Sequence, residues 1–182
     1  MKKTHAHHLL LHRWLLAGIL LACLASGAVL SAETVNQRYK APDNTFSFIP
    51  PAGWEQKDWP GMKYKIFVTQ PAEKFAPNIS VVDEASNLPL KDYVDANRKA
   101  LAGASKNFKE LSVSPFAAEG NLQGYRLTFK NRYEEIDVIQ AQYYFGTQEN
   151  KFVITCSIAE KDSRPIIAQC DQSLKTFQLR TH

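Results

Sequence analysis

The stretch from Leu122 to Ile158 most constrains this chain, because three segments of period-two alternation follow one another with turns too short for a crossover. Leu122 to Tyr133 sets Tyr125, Leu127 and Phe129 against Arg126, Thr128 and Lys130, and Ile136 to Phe145 and Phe152 to Ile158 follow. The turns around Asn131 to Glu135 and Thr147 to Asn150 leave room only for antiparallel neighbours. Val138 and Tyr144 are opposed by Ile139 and Phe145, so both faces are apolar. Such a sheet needs a cover on each side. Earlier segments fit the same sheet: Thr45 to Ile49, Met62 to Thr69, Asn78 to Asp83, and the shorter Leu111 to Phe116, ended by Pro115. The expected class is α+β. It would be a three-layer α/β/α sandwich on a mainly antiparallel sheet, with one long central helix and a C-terminal helix.

The long helix is expected from Leu90 to Gly103, entered through Asn87-Leu88-Pro89, with Leu90, Val94 and Leu101 on one stripe. The C-terminal helix is expected from Arg164 to Leu179, where Ile167, Cys170, Leu174 and Phe177 keep helical spacing. Asp162 or Ser163 can cap it, and Pro165 suits its first turn. Cys170 therefore looks inward, as Cys156 does on the strand that carries Phe152, Ile154 and Ile158. A disulfide between Cys156 and Cys170 would close a loop of about 13 residues and add on the order of 3 kcal/mol. The competing reading is two buried thiols acting as small apolar side chains. A redox pair would want the closer Cys-x-x-Cys spacing.

Residues 1–32 have the layout of a cleavable export signal. Lys2, Lys3 and Arg13 precede an apolar run from Trp14 to Leu30, and Ser31-Ala32 stand before Glu33. Cleavage is expected after Ala32, leaving 33–40 as a flexible lead-in and 41–182 as a single domain. The run could instead stay as an anchor, near the lower length limit for a bilayer span. Leu20-Leu21-Ala22-Cys23 also resembles a lipobox, making Cys23 a candidate for lipidation, although apolar residues follow it where a polar tether is usual. The expected location is periplasmic or secreted; an acylated Cys23 would anchor the protein to the membrane facing the periplasm.

Removing the leader changes what chemistry the body can offer. The histidines stand at 5, 7, 8, 12 and 182, so only His182 would remain. That withdraws the usual general base and the commonest zinc ligand. Three of the 22 Lys and Arg lie in the leader, which leaves 19 against 18 acids and no electrostatic case for nucleic acid. No cofactor and no metal are called for.

The order of motifs resembles the PsbP/DcrB-like family. The residues that carry the likeness are Phe46-Ser47-Phe48-Ile49-Pro50-Pro51-Ala52-Gly53-Trp54, the strand from Gly61 to Phe67, and Pro77-Asn78-Ile79-Ser80-Val81. Leu88-Pro89-Leu90-Lys91-Asp92-Tyr93-Val94, Gly124-Tyr125 and Asp171-Gln172-Ser173-Leu174-Lys175-Thr176-Phe177 continue it, over roughly 40 to 179. The resemblance implies the Mog-type α/β/α fold and a non-enzymatic accessory domain. Known members serve as extrinsic photosystem subunits, envelope lipoproteins and chaperones for secreted effectors.

Candidate chemistry is sparse. Glu134-Glu135 with Asp137, and Asp83-Glu84, are the main acidic groupings, the first at a hairpin turn where solvated acids are common. No Gly-x-Ser-x-Gly elbow occurs. Asn78-Ile79-Ser80 fits a glycosylation sequon but lies in an expected strand. Trp54 and Trp59, in the loop from Pro50 to Pro60, are the candidate partner-binding residues; Trp54, after Pro51-Ala52-Gly53, reads first as a core plug that fixes the turn, and Trp59 is the better binding candidate. The functional expectation is an exported, non-enzymatic binding or assembly module of the bacterial cell envelope with a protein partner there. The alternatives are a small-ligand carrier with a pocket between sheet and helix, or a hydrolase using carboxylates or a Ser–Lys pair.

Overall fold

The computed structural model describes residues 37–71 and 75–180. In chain order the elements are β1 (Tyr39–Lys40), β2 (Phe46–Phe48), β3 (Glu55–Lys57), β4 (Ile66–Val68), β5 (Asn78–Ala85), α1 (Leu90–Ala104), β6 (Lys109–Ala118), β7 (Leu122–Tyr133), β8 (Ile136–Gly146), β9 (Asn150–Ala159), α2 (Ser163–Leu174) and β10 (Gln178–Leu179). Seven strands form one sheet in the order β3-β4-β5-β9-β8-β7-β6, and β1-β2-β10 form a second, three-stranded sheet. Every pairing is antiparallel. The short turns between β7, β8 and β9 give the adjacency expected from their lengths.

Alternation sorts the large sheet into two apolar faces. On one, Leu127, Phe129, Tyr144 and Val153 pack under Tyr93, Val94 and Leu101 of α1. On the other, Tyr143, Phe145, Phe152, Ile154 and Ile158 meet Cys170 and Leu174 of α2 together with Phe46 and Phe48 of β2. Phe177 stacks on Phe145 with ring centroids 4.7 Å apart and on Phe46 at 5.4 Å. Aromatic rings bury 150–250 Å² each, so short segments can seal a face without a long helix.

That economy explains where the expected architecture is corrected. The protein is α+β with a mostly antiparallel sheet, but α1 has 15 residues and α2 has 12, so among the described residues there is no long central helix. The second face is shared between α2 and the three-stranded sheet, which the α/β/α sandwich did not include. The C-terminal helix stops at Leu174 instead of continuing to Leu179, because Phe177 N–H turns back to Leu174 O at 3.2 Å and the chain then pairs with β2. Tyr39 of β1 packs its ring on Phe46, Phe48 and Phe67. Asp162 occupies the N-cap of α2 without a side-chain capping bond.

Cys156 and Cys170 are joined by a disulfide, with Cα atoms 6.6 Å apart. It fastens α2 to the middle of β9. Gly53 takes a positive φ of 79° in the turn from Pro51 to Trp54, closed by Trp54 N–H to Pro51 O at 3.2 Å. Glycine at that position is what a type II turn requires.

Candidate functional site

α1 lies over β7 and β8 and leaves the same face of β5 and β9 only partly covered. The result is a groove of about 490 Å³ between helix and sheet. Its floor is set by register. Ser80 of β5 stands opposite Thr155 of β9, and Thr155 opposite Gln142 of β8, so three neutral polar side chains form one row across three strands. Beside this row Val82 stands opposite Val153, which gives an apolar strip. Tyr93, Asn97 and Leu101 of α1 make one wall, and Met62 and Lys63 stand across from them.

The floor is internally bonded but not saturated. Gln142 Nε2 donates to Thr155 Oγ1 at 3.3 Å, and Gln142 Oε1 accepts from the Tyr144 hydroxyl. Deeper in, the buried Gln140 donates to Ser157 Oγ at 3.0 Å and accepts from the Tyr133 hydroxyl at 2.9 Å. Asn97 Nδ2 donates to Tyr93 O at 2.9 Å.

The rim carries the charges: a lysine bridged to two carboxylates, and Glu84 bonded by a tyrosine hydroxyl. Lys63 Nζ lies 2.7 Å from Asp83 Oδ2 and 2.9 Å from Asp43 Oδ2. The Tyr64 hydroxyl donates to Asp43 at 2.8 Å, and the Tyr93 hydroxyl to Glu84 at 2.7 Å. Burial would raise the Asp43 carboxyl, but bonds from Thr45, Lys63 and Tyr64 together outweigh it and hold the group well below the usual carboxylate range. Burial likewise opposes the charge on Lys63, yet Asp83, Tyr64 and Asp43 drive it well above the ordinary lysine value. Burial pushes Tyr64 up to about 12. Burial, then the Glu84 contact, pushes Tyr93 upward as well.

Ser80 and Lys63 line the same groove, but the bonds of Lys63 Nζ go to Asp83 and Asp43, where a Ser–Lys hydrolase would need one to the serine. A lysine acts as a base only when its pKa falls toward neutrality. Lys63, clamped by two carboxylates and shifted upward, is wired as a fixed cation.

The sequence-derived candidates divide. Asp83 and Glu84 reach the groove rim, whereas Trp54 does not. Trp54 is 2% exposed and donates Nε1–H to Gln169 at 3.3 Å, the packing of a core plug. Trp59 is half-buried, in the turn that leads to Met62, whose N–H donates to Trp59 O at 3.0 Å. Asp137 at the β7–β8 hairpin is held by Lys130 at 3.2 Å and Arg132 at 3.7 Å, and Glu135 by Arg132 at 3.2 Å. These are surface pairs beside a second cavity of about 400 Å³ near Phe75 and Ile136. Cys23 and the cleavage position after Ala32 lie outside the described residues. Among the described residues, no group of three or more His, Cys, Asp or Glu is placed to hold a metal ion, and no helix is long and apolar enough to cross a membrane.

Sequence reasoning missed Ser80, Gln142 and Thr155. The available signal was a set of polar residues at alternate positions within otherwise apolar strands, Gln140-x-Gln142 and Thr155-x-Ser157, both aimed at one face.

No family model matches the chain, and no curated protein matches it in sequence. Solved structures do match its fold. LpqN of Mycobacterium tuberculosis, described as involved in cell envelope biogenesis, superposes with a TM-score of 0.60 at 13% identity, over 80% of this chain and 90% of that one. The cyanobacterial PsbP protein CyanoP of Synechocystis matches with a TM-score of 0.59 at 17% identity, over 86% of this chain and 99% of that one. PA94 of Pseudomonas aeruginosa, a protein of unknown function, matches at 0.57 and 15% identity, over 71% and 99%. At such identities the likeness is one of fold: this chain has the architecture seen in a PsbP protein and in a mycobacterial protein involved in cell envelope biogenesis.

Proposed function

We propose that the protein is an exported, non-enzymatic binding module of the bacterial cell envelope, and that the groove beneath α1 is its ligand surface. The groove carries this reading. It is a concave site whose floor offers hydroxyl and carboxamide groups in a fixed row, within the size range of small-ligand pockets. Its charged groups are held on the rim, Lys63 by Asp43 and Asp83 and Glu84 by the Tyr93 hydroxyl, which suits holding a ligand better than transferring a proton. The leader from Met1 to Ala32 and the envelope role named for LpqN support the location. The leader would be cleaved by signal peptidase and the mature protein released to the periplasm.

The PsbP-like assignment, with its Mog-type three-layer arrangement, belongs to the same proposal. It rests on the ordered motifs from Phe46 to Phe177 and on the fold match to CyanoP. Protein docking through the half-buried Trp59 is the second reading, favoured by its place in the turn that delivers Met62 and Lys63 to the groove.

The test is a melting experiment on the mature protein with fractionated envelope extract. A low-molecular-weight fraction should raise Tm, because a ligand that binds only the native state stabilises it by mass action. The rise should vanish when Ser80→Tyr fills the groove. A protein fraction whose effect depends on Trp59 instead would favour the second reading. No effect from any fraction would overturn both.

A further inference from the structure

We propose that the groove recognises an uncharged, polyhydroxylated ligand, chemically a short saccharide. This deepens the reading of the groove as a ligand surface and rests on it.

The argument is an accounting of hydrogen-bonding capacity. Thr155 Oγ1 accepts from Gln142, so its own hydroxyl hydrogen is still to be donated. Gln142 has spent its oxygen on Tyr144 and one N–H on Thr155, which leaves the second N–H. Asn97 has spent one N–H on Tyr93 O, and its amide oxygen makes no bond among the described residues. Ser80 Oγ makes none either. Donors and acceptors are therefore mixed within one patch: hydroxyls that do both, one amide donor, one amide acceptor. Ligand hydroxyls, each both donor and acceptor, answer such a mixture in any orientation.

Charge and shape narrow the class. The rim cation, Lys63, is held by Asp43 and Asp83, so an anionic ligand would have to break a pair and face Glu84 as well, while the Glu84 carboxylate that a cation would meet already accepts from the Tyr93 hydroxyl. An acyl chain on the floor would leave the Ser80 hydroxyl, the Thr155 hydroxyl hydrogen and the second Gln142 N–H dehydrated and unbonded, at roughly 1–3 kcal/mol for each. An added peptide strand needs main-chain partners at a sheet edge, whereas this floor is the face of the sheet and presents side chains. A pyranose carries hydroxyls at its edge and C–H groups on its face. The polar row and the neighbouring Val82–Val153 strip provide those two surfaces side by side.

The experiment is isothermal titration of the mature protein with chitotriose, cellotriose and maltotriose, alongside trilysine, triglutamate and a short-chain phospholipid as contrasting probes. At least one neutral trisaccharide should bind, while the charged and lipid probes should not. Ser80→Ala and Thr155→Val, small changes at two positions outside the apolar clusters, should each weaken binding about tenfold. Amide cross-peaks of Ser80, Val82 and Thr155 should move on titration. Overturning results would be binding by none of the three saccharides, binding unaffected by both variants, or preference for a charged or lipid probe. If envelope extract still raises Tm in a Ser80-dependent way while the saccharides fail, the ligand surface stands and the assignment of its ligand falls.

Discussion

At the scale of single residues, Lys151 is the most demanding position in the chain. Its side chain is 1% exposed, and its Nζ donates to Ser86 O at 2.7 Å, Thr147 O at 2.8 Å and Gln148 O at 3.2 Å. One amino group thus closes the β8–β9 hairpin and pins the end of β5 to it. Gly146 makes the path: a Cβ there would lie 2.5 Å from Lys151 Cδ and 2.8 Å from Asn150 O. Lys151→Met keeps the apolar stem and removes all three donors, stranding carbonyls that cost about 1–3 kcal/mol each when buried and unbonded. Urea unfolding should show a loss of about 3 kcal/mol, partly relieved by water at the turn; an unchanged midpoint would mean that the carbonyls are solvated already. The two loop tryptophans should separate in the same assay. Trp54→Ala empties a core site and should cost about 3–5 kcal/mol, whereas Trp59→Ala should cost under about 1 kcal/mol.

At the scale of elements, α2 shows how local weakness is offset by a covalent tie. Its N-cap makes no side-chain bond, and its buried residues are few: Cys170, Ser173 and Leu174. The disulfide to Cys156 holds it on β9, with Ser173 Oγ donating to Ile49 O at 2.6 Å. Reduction, or Cys156→Ala with Cys170→Ala, should lower stability by about 3 kcal/mol in denaturant unfolding. That pairing could be read from the sequence because both cysteines sit on apolar faces of strongly periodic elements. The long strands β7, β8 and β9 were legible for the same reason. The short ones were not: β3 is Glu55-Gln56-Lys57, with no apolar position to betray it, and β1 and β10 are two residues each. β6 runs on to Ala118 through Pro115, because an edge strand can carry a proline whose missing N–H leaves no partner unpaired. The groove was illegible in detail. Its existence depends on α1 landing over β7 and β8, which no local pattern states, and the polar residues it exposes look like flaws in apolar strands.

At the scale of the whole molecule, the two sheets are stitched together by a charge relay beside the groove. Asp43 lies between β1 and β2 of the small sheet, Lys63 precedes β4, and Asp83 belongs to β5 of the large sheet. Lys63 is exposed and the two carboxylates are partly buried, so salt still reaches the contact and its value at neutral pH is modest. Its dependence on pH is sharper. The folded Asp43 carboxyl titrates below its ordinary value of 3.8, so the unfolded chain binds that proton first as pH falls. The stabilisation is complete above 3.8 and is lost progressively as pH drops below it toward the folded value. Protonation would release Lys63 from one of its two carboxylates and loosen the small sheet from the groove rim. Asp43→Asn should therefore lower stability at neutral pH and flatten the acid limb of the stability curve, because the mutant has already lost what acid removes. Melting curves taken in steps from neutral pH to below 3.8, for wild type and Asp43→Asn, should converge at the acid end. Parallel curves that never converge would place the acid sensitivity elsewhere and leave the Asp43–Lys63–Asp83 contact without a part in joining the sheets.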